Sequence, residues 1–190
     1  ARDGGEGAYL LMSVHFGELA KRVSADGKIE ASEILALRRE AWPDGRVSQA
    51  EADAIFLLNS QLQDCSNEWV DFFVEAIGEY LVNQRAPKGY VDAENAEWLM
   101  ARIDADGVLG SMAEAELLVR VFERAQNVPV ALKEFAGKRI EDAVLNGTGP
   151  TRDGGSLEKG NVTASEAKLL RRAVFAPASD RPAAVGRSEA

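Results

Sequence analysis

ADGKIEASE (residues 25–33) and PDGRVSQAE (residues 43–51) share one skeleton: Asp, Gly, any residue, a β-branched apolar residue, and a Glu seven places after the Asp. Three looser copies follow, PKGYVDAEN (87–95), ADGVLGSMAE (105–114) and EKGNVTASE (158–166). The skeleton is either half of a calcium loop or the entrance to a helix, and the choice decides whether a ligand can be named. A helix-loop-helix calcium site needs oxygen ligands at loop positions 1, 3 and 5, Gly at 6 and a bidentate acid at 12. With Asp26 and Glu33 at positions 5 and 12, Arg22 falls at position 1. In the second copy, Asp44 and Glu51 are placed well but Trp42 takes position 3. In the fourth, Asp104 and Asp106 are placed well, Arg102 takes position 1, and an inserted residue brings Ala113 to position 12. Lys88 and Lys159 replace the acid in the other two copies, so no copy is a complete loop.

As helix entrances the copies do better. Glycine takes the left-handed turn, and the following residues spell S/T-x-x-E capping boxes at Ser48/Glu51, Ser111/Glu114 and Thr163/Glu166, with weaker versions at Glu30/Glu33 and Asp92/Asn95. Ile29, Val47, Val91 and Val162 precede these caps, where a hydrophobic staple belongs. Capping is therefore the primary reading of the repeated Glu.

Outward from these turns, apolar periodicity predicts helices over about 8–24, 30–41, 48–62, 67–84, 92–103, 111–126, 129–146 and 163–176. The fold class is all-α: about eight helices in an internally duplicated bundle, with Asp-Gly turns leading into capped helices. Duplication follows from spacing. Gly27 and Gly45 lie 18 residues apart, as do Gly89 and Gly107, and the second pair follows the first by 62 residues. The expected organisation is a flexible N-terminus over 1–7, repeat units over 8–62 and 63–126, and a truncated third unit over 127–176. That third unit contains a flexible 146–161 loop, and a disordered tail covers 177–190.

Composition limits the partners. A net charge of −9 with no basic cluster beyond Arg38-Arg39 and Arg171-Arg172 argues against nucleic acid or anionic lipid. No apolar run approaches the roughly 20 residues of a membrane span. The single cysteine, Cys65, permits no internal disulfide and fits a reducing, cytoplasmic compartment, although the chain begins at Ala and a removed leader is compatible with it.

The paired Asp-Gly-x-Ile/Val-x-x-x-Glu motifs, over Ala25–Glu33, Pro43–Glu51 and imperfectly Ala105–Glu114, resemble the TerB-like family. That family includes the tellurite-resistance protein and the N-terminal region of a membrane-associated DnaJ-like co-chaperone. The resemblance implies a helical module with a stress-related role and divalent-metal binding, with Asp26, Glu33, Asp44 and Glu51 as carry-over ligands. Asp104 and Asp106 are the further candidates from the fourth copy. Such oxygen donors suit calcium or magnesium. Lys88 and the insertion before Glu114 depart from the family pattern.

Nothing in the sequence supports catalysis. His15 is the only histidine and lies among apolar residues of the first helix. Cys65 adjoins Ser66 at a helix start without an identifiable base, and is read as a structural thiol. Gly-rich 147–160 lacks a GxxxxGK[ST] phosphate loop, and Glu97 belongs to a solvated face. Trp69, Phe72, Phe73, Tyr80, Trp98, Phe122 and Phe135 fall at helical spacings and are expected mostly in the core, with Trp42 more exposed. The alternative to a metal-binding module is thus a metal-free scaffold that offers helical grooves to a protein partner.

Overall fold

The computed structural model describes residues 18–19, 21–22, 25–41, 46–63, 65–106, 111–146 and 164–176. Among these residues there are seven α-helices and no β-strand. They are α1 (Ala31–Ala41), α2 (Gln49–Gln61), α3 (Asn67–Glu79), α4 (Ala93–Ile103), α5 (Met112–Arg124), α6 (Val130–Asn146) and α7 (Ala164–Phe175). Glu18–Leu19, Lys21–Arg22 and Ala25–Asp26 are also helical, so helical backbone reaches past the end expected at residue 24. The rest of that first helix, His15, Trp42, the 147–161 part of the loop, residues 1–7 and the 177–190 tail lie outside the described residues.

α2, α4 and α5 each begin one residue after the expected starts at 48, 92 and 111, for one physical reason. The capping residue keeps extended backbone angles, as at Ser48 (φ −77°, ψ 164°), Asp92 (φ −80°, ψ 175°) and Ser111 (φ −149°, ψ 158°), so it stands outside the helix that it opens.

α3 is the centre of the bundle. Its sequence NEWVDFFVEAIGE is apolar on most sides, and Trp69, Val70, Phe72, Phe73, Ala76 and Ile77 are all buried. A helix apolar around most of its circumference must be enclosed by others. α1, α2 and α5 pack against it, α5 most extensively, while α4 meets α6 and α5 meets α7. Trp69 packs at tilted angles on Phe72 and Phe73, and Phe56 of α2 meets Phe73 and Trp98 edge-on, at 5.0 and 5.6 Å between ring centroids. Tyr80 and Phe122 are buried too, and Trp98 and Phe135 are half-buried against the same core. After Glu79 the chain does not stay in α geometry: Tyr80–Gln84 form a π-helical turn in which Tyr80, Leu81 and Val82 are all buried. This wider turn was not readable from periodicity. Its end is useful, because Gln84 Oε1 accepts the backbone N–H of Val47 at 2.8 Å.

Two turns share one geometry. Gly27 (φ +68°) and Gly89 (φ +85°) are the positive-φ glycines, and no other residue type adopts positive φ among the described residues. The Gly27 carbonyl accepts the N–H of Gln63 at 3.0 Å, and the Gly89 carbonyl accepts that of Gln126 at 2.7 Å. In each case the glutamine side chain lies over the glycine. The helices that follow also match in length: α1 and α4 have 11 residues each, α2 and α5 have 13. Gly45 and Gly107 lie outside the described residues.

Ile29, Val47 and Val91 are buried just ahead of their caps, as are Ile34, Ala52 and Ala96 one turn inside the helices. That is the arrangement of a hydrophobic staple. Val162 and Thr163 lie outside the described residues.

Candidate functional site

The motif carboxylates turn toward the protein's own backbone and arginines. Asp26 is exposed, and its Oδ1 accepts the Lys28 N–H at 3.1 Å, closing the turn around Gly27. Glu33 Oε2 accepts the Glu30 N–H at 3.0 Å, and Oε1 forms an ion pair with Arg22. Glu51 completes a full capping box: its Oε2 accepts the Ser48 N–H at 2.6 Å while Ser48 Oγ accepts the Glu51 N–H at 3.2 Å. Asp104 caps the C-terminus of α4 and pairs with Arg139, whose guanidinium also lies 5.4 Å from the Phe135 ring centroid. Asp106 ends the short 3-10 turn after α4, and Asp44 lies outside the described residues. Among the described residues no group of three or more His, Cys, Asp or Glu side chains is arranged to hold a metal ion.

A cluster that the sequence did not reveal lies inside the bundle, where α2, α3 and α5 meet. Asn59, 3% exposed, donates from Nδ2 to Ser111 Oγ at 3.1 Å and to Glu114 Oε1 at 3.2 Å. Its Oδ1 accepts the Trp69 indole N–H at 3.0 Å, with Cys65 Sγ 3.8 Å away. An indole nitrogen can only donate, so it fixes which end of the amide faces α3, and both amide hydrogens then face α5. Every polar position of Asn59 is thereby used, as burial demands. Glu114 is the informative member. Ser111 Oγ caps its N–H at 3.3 Å, as the S-x-x-E spacing predicts, but its carboxylate reaches across to Asn59 rather than completing the box. Cys65 belongs to this cluster as a packing residue against the core.

Other polar contacts tie helices at the surface. Asp53 Oδ1 accepts both the Trp98 indole N–H at 3.0 Å and the Arg102 guanidinium at 2.8 Å, joining α2 to α4. Arg38 pairs with Glu75 at 2.7 Å, joining α1 to α3. Arg172 of α7 lies between Glu116 and Glu123 of α5: Nε and Nη2 reach the two oxygens of Glu123 at 2.8 and 3.0 Å, and Nη1 reaches Glu116 Oε2 at 2.7 Å. The Arg172 hydrogen bonds hold the Glu123 carboxyl below its ordinary range. Beside this contact, between α3 and α5, lies an open cleft of about 290 Å³ lined by Asp71, Val74, Glu75, Glu116, Arg120 and Arg124. Arg38 and Arg172 looked like members of isolated basic pairs in sequence; their acidic partners are 37, 49 and 56 residues distant.

Comparison of the chain with protein-family models, curated proteins and solved structures returns no match. No helix of the described residues is long and apolar enough to cross a membrane. Chemically, the arrangement offers mixed-charge surfaces between helices and an Asn59 cluster whose amide is satisfied, while Gln61 Oε1, Gln84 Nε2 and Asn95 Nδ2 are buried without a hydrogen-bond partner.

Proposed function

We propose that this chain is a non-enzymatic, internally duplicated helical module that binds a protein partner without requiring a metal ion. The observation that carries this reading is the use of Glu33 and Glu51: both carboxylates already serve as hydrogen-bond acceptors at the starts of α1 and α2, and Glu33 is also neutralised by Arg22. A carboxylate at a helix N-terminus is stabilised by the orphan N–H groups and the helix dipole, so no cation is needed to keep it there. The duplicated reading is supported by the matching Gly27/Gln63 and Gly89/Gln126 turns and by the equal helix lengths that follow them. Helical units stacked side by side leave grooves suited to a partner's helix. The resemblance to TerB-like modules adds a stress-related process as the setting.

A second reading, calcium or magnesium binding, is favoured by Asp26, whose carboxylate is exposed at a tight glycine turn. One experiment separates the two. Titration calorimetry of the full chain with millimolar calcium and magnesium should release no binding heat. Ser48→Ala and Glu51→Ala should each lower stability by about 1 kcal/mol, equally with EDTA and with calcium. Heat that disappears in Asp26→Ala and Asp44→Ala variants would overturn the metal-free reading.

A further inference from the structure

We draw no further inference here: the strongest candidate, the open cleft between α3 and α5 lined by Asp71, Val74, Glu75, Glu116, Arg120 and Arg124, carries nothing, because Glu75, Glu116, Arg120 and Arg124 already pair with Arg38, Arg172, Glu123 and Glu79 in turn and nothing in the structure shows what occupies it.

Discussion

Trp69 donates its indole N–H to Asn59 across the α2–α3 contact, and Asn59 donates its own two amide hydrogens to Ser111 and Glu114 at the start of α5. A single side chain thus holds three helices in register. Asn59→Ala would leave the buried indole and the 9%-exposed Glu114 without this partner. Buried groups stripped of a hydrogen bond cost about 1–3 kcal/mol each, more when charged, so the variant should lose about 3 kcal/mol. Trp69→Phe should lose less, about 1–2 kcal/mol, because it removes a donor and leaves the Asn59 acceptor with only the weak Cys65 thiol. Urea unfolding of the two variants measures the order; a Trp69→Phe loss exceeding that of Asn59→Ala would contradict it.

The two glycine turns make different demands on a side chain. At Gly89 an added Cβ would sit 3.4 Å from Gln126 Nε2, so Gly89→Ala should cost mainly the left-handed backbone, about 1–2 kcal/mol. At Gly27 the Cβ would approach Gln63 Cγ to 2.6 Å, which adds overlap to the same backbone cost. Gly27→Ala should therefore be the more harmful, and Gln63→Ala in the same chain should restore only the part of the overlap due to Gln63 Cγ and Cδ, since Cβ stays 3.1 Å away. Thermal melts of the single and double variants resolve the two contributions; full recovery in the double variant would rule out the backbone cost.

The Asp53 carboxylate serves a half-buried indole and an exposed guanidinium at once. Exposed ion pairs contribute about 0–1 kcal/mol, so Arg102→Ala should change stability little. Asp53→Ala should cost about 1 kcal/mol, since the Trp98 N–H also loses its acceptor. Trp98 emission should shift in Asp53→Ala and not in Arg102→Ala, and the reverse pattern would assign the wrong partner to the indole.

Acid should loosen α7 before it unfolds the bundle. Arg172 holds the Glu123 carboxyl below its ordinary value of 4.5, with Arg120 of the same helix adding to the effect. A carboxyl depressed in the folded state stabilises fully above its ordinary value and loses that contribution as pH falls through the lower folded one. The contact between α5 and α7 is thus complete at neutral pH and weakens in acid below the ordinary glutamate range. NMR titration of the Glu123 carboxyl and of the α7 amides should give one shared midpoint below 4.5. A midpoint above it would reverse the sign.

The helices were legible because their signals are local. Ser48, Asp92 and Ser111 each announce a start within three residues of their partners, and the buried positions of α4 and α5 recur with helical period. The all-helical class followed from that. What stayed hidden is what depends on contacts far along the chain. Glu114 satisfies the spacing of a capping box, yet its carboxylate is taken by a residue 55 positions earlier. Arg172 finds Glu116 and Glu123 from across the sequence, and nothing near it in the chain marks it as paired. The motif carboxylates are the opposite case: the spacing read Glu51 with Ser48, and more weakly Glu33 with Glu30, as capping pairs, and these local hydrogen bonds are the ones formed.

The near-complete enclosure of α3 bears on how this chain can be divided. The boundary between the two units expected from the sequence, at residues 62 and 63, falls between helices, but α1 and α2 on one side and α5 on the other all rest on the same helix. A fragment ending there would strip α1 and α2 of the surface they cover, and a fragment beginning there would uncover Trp69, Phe72 and Phe73. Neither half is a self-sufficient body. If the chain arose from one doubled unit, its single-copy precursor would have had to borrow this helix from a second molecule, so an obligate pair would have preceded the fused chain.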